Sequence, residues 1–201
     1  MYKYIIVLVQ ITELLYTHVI ELEGAMHYLT KDELRRLFQV AYNRDREYHL
    51  AMVVALWHGM RVSELTNIRG TDVTADGNII VRRLKGSHTT LQPIRRDADP
   101  IFDESPILEL ARERRGLRLF EVSRQHFDRL IKMYGQEAGI HPDKLHMHAL
   151  KHSVAMLLWD VTGNLGQLQS YLGHKAASST LCYLAEADAR KAQAALAGVT
   201  L

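Results

Sequence analysis

Apolar residues recur at helical spacing along most of the chain after residue 26. Thr30 and Glu33 have the spacing of a capping box, in which each side chain accepts a hydrogen bond from the other residue's amide. A helix is predicted from there to about Tyr42, then an apolar helix over 47–58 and a short helix over 62–68. The helical spacing returns later and predicts helices at about 106–115, 123–138, 148–161, 164–172 and 178–197.

Between these two helical regions lies a stretch rich in residues that favour β-strands. Residues 78–84 and 88–94 have this composition, and Lys85-Gly-Ser joins them, which predicts a β-hairpin. Asp76 and Gly77 form a second turn signal just before the hairpin, so a third strand is expected. The predicted fold is mainly α with a small antiparallel β-sheet, an α+β fold.

The length of 201 residues fits one domain, predicted over 26–201, with residues 1–25 as an N-terminal extension. Polar residues interrupt the apolar stretch at 4–20, which falls short of the roughly 20 apolar residues of a membrane span. We therefore expect no membrane partner. Cys182 is the only cysteine, which excludes a disulfide framework and fits a reducing, cytoplasmic compartment.

The net charge of +2 conceals a basic segment at residues 82–96, which contains no acidic residue. Such clusters are more often solvated faces than binding sites for polyanions, although this one is compatible with a phosphate backbone. Its basic residues are Arg82, Arg83, Lys85, Arg95 and Arg96.

Four histidines at positions 141, 146, 148 and 152 raise the question of a metal site. His148 and His152 have the i, i+4 spacing of a helical metal pair, but Ala149 stands where zinc sites of that type carry a glutamate. Neither a cysteine nor a carboxylate cluster lies nearby in the sequence to complete a ligand set. We therefore expect no metal or cofactor, and His152 is interpreted as a hydrogen-bonded core histidine.

Several residues suited to phosphate chemistry follow one another in a specific order along the chain. An arginine at 61 lies in Gly-Met-Arg-Val-Ser-Glu-Leu, and a lysine at 85 occupies the hairpin tip. A His-Ala-Leu-Lys-His segment spans 148–152, Leu-Gly-His ends at 174, and a tyrosine follows nine residues later. This combined pattern resembles the catalytic domain of the tyrosine recombinases, or phage-type integrases, over about residues 26–195. Lys151 stands where that family has an arginine.

The resemblance implies metal-independent phosphoryl transfer on DNA, with Tyr183 attacking a backbone phosphate to form a 3′-phosphotyrosyl bond. Arg61, Lys151 and His174 would contact the phosphate oxygens. His148 would assist at the phosphate or in handling the tyrosine proton. Lys85 would protonate the departing 5′-hydroxyl as a general acid. The surrounding cations would favour the phenolate of the tyrosine.

Further expectations concern the partners of the chain. The resemblance implies double-stranded DNA with inverted or repeated recognition sites and a homotetramer on that DNA. Arg82, Arg83, Arg95 and Arg96 are candidates for backbone contacts, whereas Ser63 and Glu64 are interpreted as structural. The segment 185–201 would dock on a neighbouring protomer or pack as an ordinary helix on its own domain.

Three functional interpretations remain open from the sequence. The first is an active site-specific recombinase that integrates, excises or inverts DNA, similar to short fimbrial phase-switch invertases or to a truncated integrase, because no counterpart of the family's core-binding domain is recognisable. The second is a catalytically weakened DNA-binding accessory protein, suggested by Lys151. The third, a type IB topoisomerase activity, is disfavoured because the Leu-Gly-His box and the tyrosine spacing follow the recombinase pattern.

Overall fold

The computed structural model describes residues 27–84 and 87–197, except for the side chains of Glu186 and residues 189–197. The predicted extension at 1–25 and the hairpin-tip Lys85 lie outside the described residues. The described α-helices are α1 (Lys31–Arg44), α2 (Arg46–Trp57), α3 (Val62–Leu65), α4 (Ile107–Glu113), α5 (Arg124–Glu137), α6 (Met147–Thr162), α7 (Leu165–Leu172) and α8 (Ser178–Ala197). Two 3₁₀ turns, Gly70–Asp72 and Pro142–Lys144, and two strands, β1 (Asn78–Val81) and β2 (Thr90–Pro93), complete the described fold.

The first two helices follow the sequence prediction closely. The capping box of α1 is present, since Thr30 N donates to Glu33 Oε2 at 2.8 Å and Glu33 N donates to Thr30 Oγ1 at 3.2 Å. α2 is almost wholly buried and packs against α1 and α6. α3 is shorter than predicted, because the chain turns at Thr66 and Asn67, and the Asn67 amide donates to the carbonyl of Ser63.

The sheet differs from the prediction of three strands. β1 and β2 pair antiparallel, with Asn78 opposite Pro93 and Val81 opposite Thr90, which confirms the hairpin. In the described part of the chain the third strand is reduced to a single bridge between Val73 and Ile79. The preceding residues form the Gly70–Asp72 turn instead, so they cannot extend the ladder. The fold class, mainly α with a small antiparallel sheet, is confirmed.

The apolar core consists of two clusters that meet along α6. The larger cluster includes most of α2 and the buried faces of α1 and α5, and the smaller one joins the second half of α6 to α7 and α8. Tyr183 and Ala187 of α8 belong to the smaller cluster, so the described start of this helix packs on its own domain. None of the helices formed by the described residues is long and apolar enough to cross a membrane.

Two hydrogen bonds join the end of α7 to the hairpin. The backbone amide of His88 donates to the carbonyl of Gly173 at 2.8 Å, and the Gln92 amide donates to the carbonyl of Tyr171 at 2.8 Å. Gly173 has φ +69°, and an added Cβ would collide with the carbonyl oxygen of His88. A glycine is therefore required where the chain turns from α7 towards His174.

Candidate active site

Arg61 is held by a buried carboxylate at the start of α3. Its Nη1 donates to Glu64 Oε1 at 2.8 Å, and its backbone amide donates to Glu64 Oε2 at 2.9 Å. Glu64 also accepts a hydrogen bond of 3.0 Å from the amide of Leu84, beside the hairpin tip. Burial acts to raise the pKa of Glu64, but these hydrogen bonds outweigh it and the pKa lies below its usual value. The structural role expected for Glu64 is confirmed.

Arg83 lies in a different place from the one expected of a DNA contact. Its side chain is fully buried, and its guanidinium donates to the carbonyls of His58 at 2.7 Å, Gly59 at 2.8 Å and Tyr171 at 3.1 Å. A guanidinium engaged in this way is not available to a phosphate on the surface. We therefore correct the sequence-based expectation: Arg83 joins α2, α7 and the hairpin from inside the protein.

Lys151 carries a buried ammonium group that lacks a hydrogen-bond partner among the described residues. The residue lies on α6 and is 4% exposed. Burial, together with the charges of Arg61 and Arg83, lowers the pKa of Lys151 to about 7, and Glu64 acts in the opposite direction. Buried polar groups in native proteins are usually paired, so an ammonium of this kind indicates a site for an anion.

His174 follows the left-handed turn at Gly173 and lies near the same charges. Its Nδ1 is 3.0 Å from Oγ1 of Thr180, a fully buried residue of α8. Burial lowers the pKa of His174 to about 4, and the charges of Lys151 and Arg61 contribute in the same direction. The Thr180 hydroxyl thus fixes one side of an imidazole that is neutral at pH 7.

Tyr183 is buried in the first turns of α8, with 2% of its surface exposed. Its hydroxyl oxygen lies 3.1 Å from Nδ1 of His152 on α6. Burial raises the pKa of the Tyr183 phenol well above its usual value, against a smaller lowering effect of Arg61. Arg61 acts in the direction expected from the sequence, but in the free protein the cost of burying a charged oxygen is larger.

His148 and His152 lie one helical turn apart on α6 and differ in their surroundings. His148 is exposed, and its ring centroid is 6.0 Å from that of His152. His152 is half-buried, and its ring centroid is 5.7 Å from that of Tyr183. His152 is hydrogen bonded, as expected, but its partner is the candidate nucleophile. Two sequence signals place these histidines together: their i, i+4 spacing and the His-Ala-Leu-Lys-His segment at 148–152.

Three arginines of the basic segment reach the surface. Arg82 forms an ion pair of 2.8 Å with Asp72, and Arg95 forms one of 2.8 Å with Asp97 while lying 4.1 Å above the ring of Trp57. Arg96 is exposed. The described residues contain no group of three or more His, Cys, Asp or Glu side chains that could hold a metal ion.

The described candidates therefore converge from separate parts of the chain. Arg61 comes from the start of α3, Lys151 from α6, His174 from the turn after α7 and Tyr183 from α8. Electrostatic coupling links Arg61 to each of the other three. The arrangement places one tyrosine hydroxyl near fixed positive charges and a hydrogen-bonding imidazole.

Comparison with known proteins agrees with this chemistry. The model of the phage integrase family matches residues 27–190. The chain is 34% identical over 164 residues to the tyrosine recombinase XerA of Thermococcus kodakarensis, which covers 77% of this chain and 56% of that protein. It is 33% identical over 184 residues to the type 1 fimbriae regulatory protein FimE of Escherichia coli, which covers 81% of this chain and 87% of that protein.

A solved structure shares the fold. The XerH site-specific recombinase, in its post-cleavage complex with a palindromic difH substrate, superimposes with a TM-score of 0.69 at 18% identity, over 86% of this chain and 53% of that one. The chain thus spans only 56% of the length of XerA and 53% of the XerH chain. The family match extends over most of this sequence, and the chain belongs to the phage integrase family of tyrosine recombinases.

Proposed function

We propose that residues 26–201 form the catalytic domain of a site-specific DNA recombinase, which cleaves and rejoins strands through a 3′-phosphotyrosyl intermediate. The observation that carries this proposal is the convergence of Arg61, Lys151 and His174 beside Tyr183. The buried ammonium of Lys151 lacks a partner among the described residues, and a phosphate oxygen is a partner of the right charge.

In the proposed cleavage step, Oη of Tyr183 gives up its proton to a neighbouring imidazole and attacks the phosphorus of a DNA phosphodiester. The P–Oη bond forms, the P–O5′ bond breaks, and Lys85 protonates the departing 5′-oxygen. The 5′-hydroxyl of a partner strand then reverses the step and releases the tyrosine. The covalent intermediate preserves the bond energy, so no external energy source is required.

Fixed groups supply the charge stabilisation for this step. Arg61 presents a planar fork that can bind two phosphate oxygens, and Glu64 holds it in place. Lys151 and His174 bind the remaining oxygens, and His148 lies at the exposed margin of the site. Because Tyr183 is 2% exposed, side chains that cover its hydroxyl must move aside before a phosphate reaches it.

The substrate in this proposal is double-stranded DNA with inverted or repeated sites. Arg82, Arg95 and Arg96 are exposed and contact the phosphate backbone. Exchange of two strands on each of two duplexes requires four active sites, so the working assembly is a homotetramer on DNA. Mass measurement of the isolated complex should give four chains on two duplexes; a stable complex of one chain per duplex throughout the reaction would contradict the tetramer.

The test of cleavage is the formation of a covalent protein–DNA adduct. We expect an adduct resistant to sodium dodecyl sulfate when the protein is incubated with duplex DNA carrying the repeats that flank its coding sequence. Tyr183→Phe retains the ring that packs against α6 and removes the nucleophile, so it should bind this DNA and form no adduct. An adduct of equal yield from Tyr183→Phe would overturn the assignment of the nucleophile.

Two observations favour a second candidate function, DNA binding without cleavage. Tyr183 is buried and hydrogen bonded in the free protein, and Lys151 replaces the arginine of the family. If the wild-type protein binds the repeats specifically and yields no adduct, including on nicked duplexes that trap the intermediate, the accessory role is correct.

A further inference from the structure

The hydrogen bond between His152 and Tyr183 joins α6 to α8 at the reacting oxygen. Nδ1 of the imidazole lies 3.1 Å from the phenolic oxygen, and the two residues are 31 positions apart in the chain. His152 is half-buried and Tyr183 is buried. The reaction proposed above requires the phenol to lose its proton, and Nδ1 of His152 is a nitrogen within hydrogen-bond distance of that proton.

The surroundings of His152 keep its imidazole neutral. Burial lowers its pKa to about 4, with further lowering by the nearby groups of His148, His146, Lys151 and His174. A neutral imidazole has one unprotonated nitrogen, and a protonated phenol is a hydrogen-bond donor. The contact is therefore assigned with the Tyr183 hydroxyl donating to Nδ1 and with the imidazole proton on Nε2.

We propose that His152 is a catalytic residue that accepts the phenol proton of Tyr183 as its oxygen attacks the phosphate. This inference rests on the proposed recombinase function. The proton moves from Oη to Nδ1 while the P–Oη bond forms, and the imidazole becomes an imidazolium. Lys85 protonates the 5′-oxygen, and in the reverse step His152 returns its proton to Oη. Protons and electron pairs therefore balance in each direction.

Binding of DNA makes this proton transfer easier than it is in the free protein. In the free protein, burial and the positive charge of Lys151 disfavour a positive charge on His152. A bound phosphodiester brings a negative charge that offsets that of Lys151. The imidazole is thus available as an acceptor before DNA binds and becomes a stronger base once the phosphate is in place.

His152→Asn tests the inference, because an asparagine side chain places an amide near the position of Nδ1. The amide oxygen can accept the phenol hydrogen bond but cannot take its proton at neutral pH. We expect single-turnover cleavage of a nicked duplex to slow by about 100-fold or more at pH 7. His141→Asn, at an exposed histidine outside the site, is the matched control and should cleave at the wild-type rate.

The pH dependence separates proton transfer from positioning. Without an internal base the variant reacts through phenolate formed in solution equilibrium, so its rate rises about tenfold per pH unit. The wild-type rate divided by the His152→Asn rate should fall correspondingly between about pH 6.5 and pH 8.5. Because Lys151 is present in both proteins, the effect of its titration on the two rates cancels in their ratio. A ratio that stays constant with pH would assign His152 to positioning alone.

A change of leaving group provides the second arm. A 5′-bridging phosphorothiolate has a sulfur leaving group that departs without protonation, so it should rescue Lys85→Ala and leave the defect of His152→Asn unchanged. Rescue of His152→Asn to the wild-type rate would overturn the inference. If the asparagine variant does not fold, His152→Gln is measured in the same way.

The outcomes also separate this inference from the proposed function. A wild-type adduct together with His152→Asn cleavage within threefold of wild type, roughly, overturns only the role of His152. Absence of a wild-type adduct on both substrates overturns the recombinase function and this inference with it. Nitrogen NMR of the free protein should find Nδ1 of His152 unprotonated and hydrogen bonded; a protonated Nδ1 would exclude it as the acceptor.

Discussion

Two halves of the candidate active site differ in how many hydrogen bonds hold their side chains. The arginine cluster, Arg61, Glu64 and Arg83, is joined by hydrogen bonds to backbone groups of α2, α7 and the hairpin, although the buried Nε of Arg83 has no partner among the described residues. The tyrosine cluster, Lys151, His152, His174 and Tyr183, has single contacts within α6–α8, and the Lys151 ammonium has none among the described residues.

In the proposed reaction, this difference distinguishes the side chains that the free protein already orients from those whose charges the DNA phosphate would balance. Glu64 orients Arg61 before a phosphate arrives, so little reorganisation is needed at that end of the site. The tyrosine cluster holds a buried phenol and a lysine whose proton is easily lost. Under the proposed function, a DNA phosphate would offset these charges. We therefore expect the arginine cluster to matter most for folding stability and the tyrosine cluster for the response to DNA.

Removal of Glu64 should have the largest effect on stability. Glu64→Ala leaves the buried guanidinium of Arg83 and the partly buried one of Arg61 without their carboxylate, so the free energy of unfolding should fall by about 3–5 kcal/mol. The control, Glu137→Ala, breaks an exposed ion pair with Arg44 and should cost less than about 1 kcal/mol. Urea denaturation measures both. Equal losses would mean that the arginine cluster is no more important to the fold than a surface pair.

The features that could be predicted from the sequence are the local ones. The capping box at Thr30 and the turn at Gly173 involve residues close together in the chain, so their chemistry is visible in a short segment. The prediction of a third strand was wrong. The chain does turn at Gly77, but the preceding Gly70–Asp72 segment forms a 3₁₀ turn, so only Val73 pairs with β1.

The burial of Arg83 and the partner of His152 could not be predicted in this way. Arg83 lies in a basic segment that is typical of an exposed surface. It is buried because carbonyl groups at the ends of α2 and α7 converge on its guanidinium. Tyr183 meets His152 because α8 packs against α6. Both contacts join residues that are far apart in the chain, and such tertiary packing produces no repeating pattern in the sequence.

Lys151→Met should alter the pH dependence of stability. Burial lowers the pKa of Lys151 in the folded protein to about 7, from an ordinary lysine value of 10.5. Between these two values the unfolded chain binds more protons, so wild-type stability rises with pH by about 1.4 kcal/mol per unit. Relative to Lys151→Met, the wild type should gain about 2 kcal/mol between about pH 7 and pH 9, because Lys151 is half titrated at the lower pH.

Denaturation of both proteins at several pH values measures this gain. Lys31→Met, at an exposed lysine on α1, is the control and should track the wild type throughout. A stability difference between wild type and Lys151→Met that does not change with pH would mean that the pKa of Lys151 is not lowered in the folded protein. An anionic partner of the ammonium in the free protein would have that effect.

Lys151→Arg should accelerate cleavage and weaken the fold. A guanidinium can bind two phosphate oxygens where the ammonium binds one, and one more charge-assisted hydrogen bond contributes about 1.5–3 kcal/mol. Adduct formation should therefore be roughly 10- to 150-fold faster. The arginine cannot lose its proton when buried, so above pH 7 the variant should be less stable than the wild type. Slower cleavage by Lys151→Arg, with Lys151→Ala nearly inactive, would indicate a pocket shaped for the shorter side chain.

The smallest expected effect concerns the single contact that orients His174. Thr180→Val retains the shape of the buried side chain and removes the hydroxyl 3.0 Å from Nδ1 of His174. Loss of one neutral hydrogen bond corresponds to about 1 kcal/mol, or roughly fivefold slower cleavage. Ser179→Ala, at the neighbouring exposed position on α8, should leave the rate unchanged.

A double-mutant cycle decides whether this effect passes through the histidine. If Thr180 acts by orienting His174, Thr180→Val should have no further effect on cleavage in a His174→Ala background, because the contact is already absent. If it slows both backgrounds equally, Thr180 instead supports the packing of α8. The latter outcome would leave His174 without an orienting partner in the tyrosine cluster, and the contrast with the arginine cluster would be greater still.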